Sequence, residues 1–511
     1  MSIQVNINKE WRQGDNAFAK GNAFKSNGTK LNKHDLYYEF NSVGSIDVFI
    51  RRMKDLSGFF SAVSKRNGVM AGVDHVRSIP LFYALNGKDF YLSDDAHWIW
   101  EQLGNPELDP YSCAEFLLTG YVTDSRTLVK GINQLQAGEA LSYDSNKGKL
   151  TTVRYYTFNH NPVKCSKQEL IRKLDSAIDS TINRLFRFAK GYKIVFPLEN
   201  SFESILLAMQ LNEKHYVNVS SFNYGRMIGM YSPLAKAVTE RTGILHLYEI
   251  YNDRMWNNWR SYNKYPDFLK SADGLCTLPV DCEAPALYGL NRAIKIPADS
   301  VIVPVHSADF LAGGGIPTEL ASIKDINKEK LVNIILNRYY NINNIDEVAE
   351  AVDLSPDKIK TEMRHRIFRT LYDHKIETPE QAINACEYWE WQERQSKQMV
   401  NSVRQYEVFN YDWWIPWFDR EFMDFWKTVP AHYRVNSLLY KDYIKDYQSK
   451  FRYDLPNPDT VSLFQKIKAG VSEFVNWSKD PGKPKTADGE YLSSNCVFEY
   501  LENLKWKEAI C

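Results

Sequence analysis

The 511-residue chain has no surplus of charge: 63 Lys and Arg balance 63 Asp and Glu. A general grip on nucleic acid needs a basic excess on some face, so that class is set aside. No run approaches the roughly 20 apolar residues of a membrane span. No basic segment with an apolar core follows Met1, so no signal peptide is visible. The seven cysteines, at 113, 165, 276, 282, 386, 496 and 511, are odd in number and lack CxxC spacing. They read as reduced thiols rather than disulfides or a zinc site. Internal repeats and low-complexity tracts are absent as well. The expectation is a cytoplasmic protein with no nucleic-acid and no membrane partner.

What is present is ordinary globular material. The chain is 44% hydrophobic and 25% charged, and its length allows two to four domains with large cores. Aromatics are plentiful at 14%, with 31 Tyr and 13 Trp. They serve packing or, alternatively, a carbohydrate or aromatic-ligand surface.

Two stretches organise the rest. In the first, the apolar run Ile194 to Phe196 meets a polar hinge, Glu199 to Ser204, and then a periodic apolar run from Ile205 to Leu211. That pattern predicts strand, tight loop and helix start, a corner suited to an anion. The loop has no glycine and no lysine, so an ordinary strand-to-helix turn is the competing reading. The second stretch runs from Ile302 through Asp309 to Gly315 and is again an apolar strand entering a small-residue turn. Two strand ends that each offer a carboxylate form a crevice for a metal-bound phosphate.

Together these residues resemble the synthetase half of the asparagine synthetase family. Its first loop reads Pro-Leu-Ser-Gly-Gly-x-Asp-Ser and grips the ATP pyrophosphate. The matching run here is Pro197, Leu198, Glu199, Asn200, Ser201, Phe202, Glu203 and Ser204, which keeps the frame and changes the filling. Ala308, Asp309, Leu311, Gly313 and Gly314 stand in register with the family's later Ala-Asp-Glu-Leu-Phe-Gly-Gly turn. Val305 and Ser307 occupy places that are usually glycine.

The first 158 residues read as short strands and turns in stacked antiparallel sheets. Gly58 to Ala62, Asp74 to Tyr83 and Tyr91 to Asp95 resemble the glutaminase half of class II glutamine amidotransferases, which carries an Asp-Arg-x-Gly-x-x-Pro-Leu-Tyr-Tyr turn. That half works through an N-terminal cysteine thiolate. Here position 2 is Ser and no Cys precedes Cys113, so this part is expected to be a scaffold or a lid.

The fold class this implies is α/β: an antiparallel, Ntn-hydrolase-like sandwich over residues 1–158, then a parallel-sheet, HUP-like nucleotide-binding domain over 159–511 with a helical C-terminal part. Alternation of strand and helix from Ile194 to Ile250 supports the parallel sheet by itself. Ser166 with Glu169 reads as a capping box. Thr378 to Phe409 reads as one helix, on which Arg394 and Arg404, ten residues apart, share a face. That face is either solvated or turned to phosphates and substrate. Trp414 and Trp417 replace the Arg and Phe that the family carries around its Pro-Phe-x-Asp segment. Lys441 is read as a surface lysine, with a role on phosphate as the alternative.

The resemblance implies an ATP-dependent, amide-forming ligase that adenylates a carboxylate and passes it to ammonia or an amine. A cyclising relative of the β-lactam synthetase kind is a variant. Its cofactors would be ATP and Mg²⁺ and its substrate an aspartate-like carboxylate; a homodimer stays open. The catalytic residues would be Glu203, Asp309 and Arg394, with Glu203 and Asp309 also holding the metal. Leu198, Ser201, Ser204, Tyr224 and Ser307 would bind the nucleotide, with a turn role as the alternative for Tyr224. The altered loop points the other way. Glu199 would repel a nucleotide by roughly 4 kcal/mol for like charges ~4 Å apart at an effective dielectric of 20. Activity is therefore expected to be weak or lost, and a binding or structural protein on the same fold is the alternative.

Overall fold

Short β-rich runs build three sheets. The computed structural model describes residues 2–225, 233–458, 497, 500 and 501. The first sheet orders Ile3–Asn6, Asp89–Ser93, Phe82–Asn86 and Ile132–Gln134; its first pair is parallel and the others are antiparallel. The second is antiparallel and centres on Leu56–Ser64, flanked by Ala17–Lys25 and Val69–Val73.

Alternation of side chains decides how these two sheets stack. Tyr83, Phe90 and Leu92 of one sheet share a core with Val63, Val69 and Ala71 of the other. The residues between them face outward. Phe60, Ala62 and Met70 pack under the helices Lys33–Asn41 and Ile46–Asp55, while Phe82, Ala84 and Tyr91 pack under Ala96–Gln102 and Pro110–Thr119. The result is helix, sheet, sheet, helix.

The third sheet is parallel, in the order Leu245–Ile250, Val219–Gly225, Ile194–Pro197, Val301–Ile302, Asp412–Trp413. Ile194–Pro197 is buried along its whole length, as a strand covered on both faces must be. From it the chain builds outward to one side, then returns to lay Val301–Ile302 on the other. That reversal opens a crevice at the carboxyl ends of the two strands. Lys167–Ala189 covers the sheet; Ser166 accepts from the Glu169 N–H, but the Glu169 carboxylate pairs with Lys173 at 2.9 Å, so only half of the capping box forms.

The segment expected as one helix is broken. It is α-helical over Pro379–Glu390, π-helical over Trp391–Met399, 3-10 over Val400–Val403 and α-helical again over Arg404–Glu407. The wider π turn shifts the faces out of phase. Arg394 pairs with Glu390 at 3.1 Å, whereas Arg404 pairs with Glu407 and reaches the Ser78 carbonyl. A buried pair stabilises the π stretch: Lys397 donates to Glu393 (2.6 Å) and to the carbonyls of Val122 and Asp124.

Two apolar clusters run across residue 158. Phe59, Val76 and Tyr156 pack with Trp391 and Trp414, and Cys113 and Leu117 pack with the helices between residues 328 and 389. No helix among the described residues is long and apolar enough to cross a membrane. The helix expected from Tyr231 starts at Pro233, with Tyr231 outside the described residues, as is the predicted loop 479–485.

Candidate functional site

The first corner leaves the sheet at Leu198 and enters the helix Phe202–Glu213. Leu198 is buried and its N–H donates to the Phe222 carbonyl at 2.8 Å. Its own carbonyl accepts from Asn223 at 3.1 Å. Ser201 caps the helix from extended backbone, accepting the Ser204 N–H at 3.2 Å. The Ser204 hydroxyl accepts the Glu199 N–H at 3.0 Å and lies 3.1 Å from Ser201 Oγ. The two hydroxyls expected to face phosphate thus hold the loop. Neither Asn200 nor Ser201 has a positive φ, so the glycine-type turn is not formed.

The second corner does keep such a turn. Ser307, where the resemblance expects glycine, sits at φ 85° and ψ −16°. Its Oγ is 2.7 Å from His306 Nδ1, and burial holds His306 neutral by pushing its pKa down to about 4. Asp309 follows and accepts from the Ser437 hydroxyl at 2.7 Å. Gly314 makes room for it: a Cβ there would lie 1.9 Å from Asp309 Oδ1.

Glu203 and Asp309 converge across the crevice. Burial, reinforced by the charge of Asp309, pushes the Glu203 pKa up to about 7. Glu203 is 6% exposed and its Oε1 has no hydrogen-bond partner. A buried carboxylate oxygen without a donor, opposite a second carboxylate, fits a divalent cation that takes further oxygens from a bound phosphate. Among the described residues no group of three or more His, Cys, Asp or Glu could hold a metal alone. Nearby, burial and the charge of exposed Glu199 push Glu283 up to about 8, although the Tyr406 hydroxyl donates to it at 2.9 Å.

Asp309 and Ser307 also line a cavity of about 530 Å³, together with Tyr121, Arg338, Glu390 and Arg394. Glu390 has three donors: Oε1 accepts from Arg394 (3.1 Å) and Gln395 (3.2 Å), and Oε2 from the Tyr339 hydroxyl (2.8 Å). Gly315 leaves space for it, since a Cβ there would come within 3.0 Å of Oε2.

Of the residues singled out from sequence, Ser201, Glu203, Ser204, Ser307 and Asp309 gather at the crevice, and Arg394 lies in the adjoining cavity. Leu198 is core. One face of Tyr224 is stacked on Tyr251, centroids 4.7 Å apart and planes at 15°. Lys441 is half-buried, with its Nζ 5.4 Å from the Phe202 ring beside the first corner. Tyr121, Arg338 and Glu390 escaped sequence reasoning. Glu390 with Arg394 has the i,i+4 spacing that could have been noticed, but nothing local ties Tyr121 or Arg338 to the crevice.

Ser2 is exposed just before the edge strand Ile3–Asn6, with its N–H and hydroxyl bound to Asp89, and Cys113 is fully buried. Residues 49–156 nevertheless match the family model of a glutamine amidotransferase domain. This stretch is similar to such a domain. The match ends before the parallel sheet begins, so it leaves the crevice outside. No curated protein matches the chain. Among solved structures, an NH3-dependent NAD synthetase from Campylobacter jejuni subsp. jejuni NCTC 11168, in complex with the nitrate ion, is similar over 41% of this chain and 96% of that chain. Identity is 14% and the TM-score 0.20, too low to bear on function.

Proposed function

We propose that the crevice belongs to an ATP-dependent, amide-forming ligase of the asparagine synthetase type, acting on an aspartate-like carboxylate with free ammonia or an amine as nitrogen donor. One observation carries this reading. Glu203 and Asp309, in the first turns of the helices that follow neighbouring parallel strands where the sheet reverses, lie close enough to interact, and Asp309 lines a cavity with Arg338 and Arg394. Glu203 and Asp309 would hold Mg²⁺ with the nucleotide; the cation's contribution is to neutralise charge on the phosphates. Arg394 would orient the carboxylate, and Lys441 is placed to add positive charge near the first corner. The nitrogen would not come from glutamine hydrolysis, because Ser2 is on an outer edge and Cys113 is buried.

A second reading, a binding or structural protein without turnover, is favoured by the first corner. The Glu199 and Ser204 amides are already bonded to serine hydroxyls, and Glu199 itself is exposed. A nucleotide must displace those bonds, each a net ~1 kcal/mol, and meet a carboxylate. The deciding experiment mixes the protein with Mg-ATP and a panel of carboxylates, aspartate first, and measures pyrophosphate. Release that depends on the carboxylate, and that Glu203→Gln abolishes, supports the ligase. No pyrophosphate and no rise in melting temperature with Mg-ATP leaves the binding reading.

A further inference from the structure

The cavity beyond Asp309 holds donors with nothing to receive them. Tyr121 is 2% exposed, lines the cavity, and its hydroxyl has no hydrogen-bond partner. Three carboxylates lie close enough to interact with it electrostatically, Glu115, Glu390 and Glu393, and each already accepts from at least three other donors. Glu115 accepts from Thr123, Tyr340 and Arg366, and Glu393 from Asp124, Thr370, Gln392 and Lys397. Glu390 has the three donors already described. The phenol is therefore left without an acceptor. Burial pushes its pKa far up, so it stays a donor at any working pH.

The two guanidiniums each keep donors to spare. Arg394 uses one nitrogen on Glu390. Arg338 makes no ion pair among the described residues; it hydrogen-bonds the Tyr339 side chain, whose ring lies 5.6 Å away, and feels the charge of Glu390. A cavity of about 530 Å³ with one orphaned hydroxyl and two under-used guanidiniums is a receptacle for oxygen acceptors that carry negative charge.

We infer that the amidotransferase-like part of the chain contributes a ligand-contacting residue to this cavity: the Tyr121 hydroxyl donates to a small carboxylate anchored on Arg394 and Arg338. This rests on the ligase reading only for calling that carboxylate the substrate. Tyr121 is held for the task. Gly120 closes the helix Pro110–Thr119 at φ 80°, the Tyr121 N–H donates to Thr119 Oγ1 at 3.1 Å, and its carbonyl accepts from the same hydroxyl at 2.6 Å. A bridge to Thr277 fixes the backbone further. A part of the chain that makes no ammonia thus selects the substrate instead, by presenting a rigid donor to it.

The test is calorimetric titration of the full chain, without ATP, with succinate, aspartate and inorganic phosphate in turn. Wild type is expected to bind at least one carboxylate, with Arg394→Gln abolishing it and Arg338→Gln weakening it. Tyr121→Phe should weaken it roughly tenfold with the melting temperature of the free protein unchanged, since the hydroxyl makes no bond inside the protein. Binding of phosphate but no carboxylate overturns the ligand class. Binding of no anion, or equal affinity in wild type and Tyr121→Phe, overturns the inference. Carboxylate binding that depends on Tyr121 without any pyrophosphate release would sink the ligase reading and leave this one standing.

Discussion

Two corners flank the crevice, and they treat their polar groups in opposite ways. The first, Leu198 to Ser204, closes on itself: both serine hydroxyls bond backbone amides, and no residue needs a positive φ. The second, Val303 to Asp309, stays under strain and open. Ser307 sits at φ 85°, and Gly313, Gly314 and Gly315 follow it. Strain and small residues persist only where the surroundings enforce them, which is why such features cluster where ligands approach. A phosphate-facing loop that feeds its own amides has less to offer a nucleotide. The second corner keeps Gly313, Gly314 and Gly315.

The sharpest way to break this contrast is to fill the second corner. Gly313 has φ 90°, and a Cβ there would lie 2.5 Å from the Arg434 carbonyl oxygen, a backbone atom that cannot swing away. Gly313→Ala combines overpacking with left-handed strain and should lower stability by about 4 kcal/mol, read from urea unfolding. Arg434 is buried and tied to Glu387 and Asn384, so the segment has little freedom to retreat.

The next effect is a pH dependence where the corners meet. Glu203 has its folded pKa raised to about 7 from 4.5, first by burial and then by Asp309. The folded state therefore binds more protons than the unfolded one between those values, and stability falls as pH rises from about 4.5 to 7. A shift of that size corresponds to roughly 3 kcal/mol at most, less whatever solvent at exposed Asp309 screens. Glu203→Gln should remove the decline, so that variant and wild type converge near pH 4.5 and the variant is the more stable at pH 8. Chemical unfolding at the two pH values reads this out. Equal slopes for both proteins would mean that the carboxylates do not face each other.

Much of this arrangement was legible in the residues. The alternation from Ile194 to Ile250 could only give a parallel sheet, and the pairing Ile194 with Val219 and Val301 realises it. Arg77, standing where the amidotransferase pattern has glycine, takes φ 56°, so the backbone kept the turn after losing the residue that suits it. The same logic failed at Asn200 and Ser201, because a four-residue loop can close through serine hydroxyls in a way that no spacing announces. The shared face of Arg394 and Arg404 failed for another reason. Within the π-helical stretch Glu393 and Lys397 bond to Asp124, a long-range contact that no local spacing announces. Tyr121 was invisible because its meaning lies in a missing acceptor, which only packing reveals.

Within the first corner, the cap carries most of what one side chain contributes. Ser201→Ala deletes the acceptor for the Ser204 N–H and should cost about 1 kcal/mol. It also releases the Ser204 hydroxyl from its partner, so tighter Mg-ATP binding in a thermal-shift titration is the companion outcome. Unchanged stability would show that the loop is not held from within.

The smallest effect is the most discriminating, because it asks both corners the same question. Asn200→Gly and Ser307→Gly each introduce glycine at a place where the resemblance expects one. Asn200 has no positive φ, so glycine relieves no strain there and widens the unfolded ensemble, a loss of at least about 0.7 kcal/mol. Ser307 is at φ 85°, where glycine removes about 1–2 kcal/mol of left-handed strain. Against that gain stand the same entropy term and the lost contact with His306, worth ~1 kcal/mol. The net change at 307 should fall within about 0.5 kcal/mol of zero, so paired unfolding curves should separate the two variants in the direction of the φ angles. If Asn200→Gly stabilises and Ser307→Gly does not, the strain lies in the first corner after all, and the contrast between the corners is reversed.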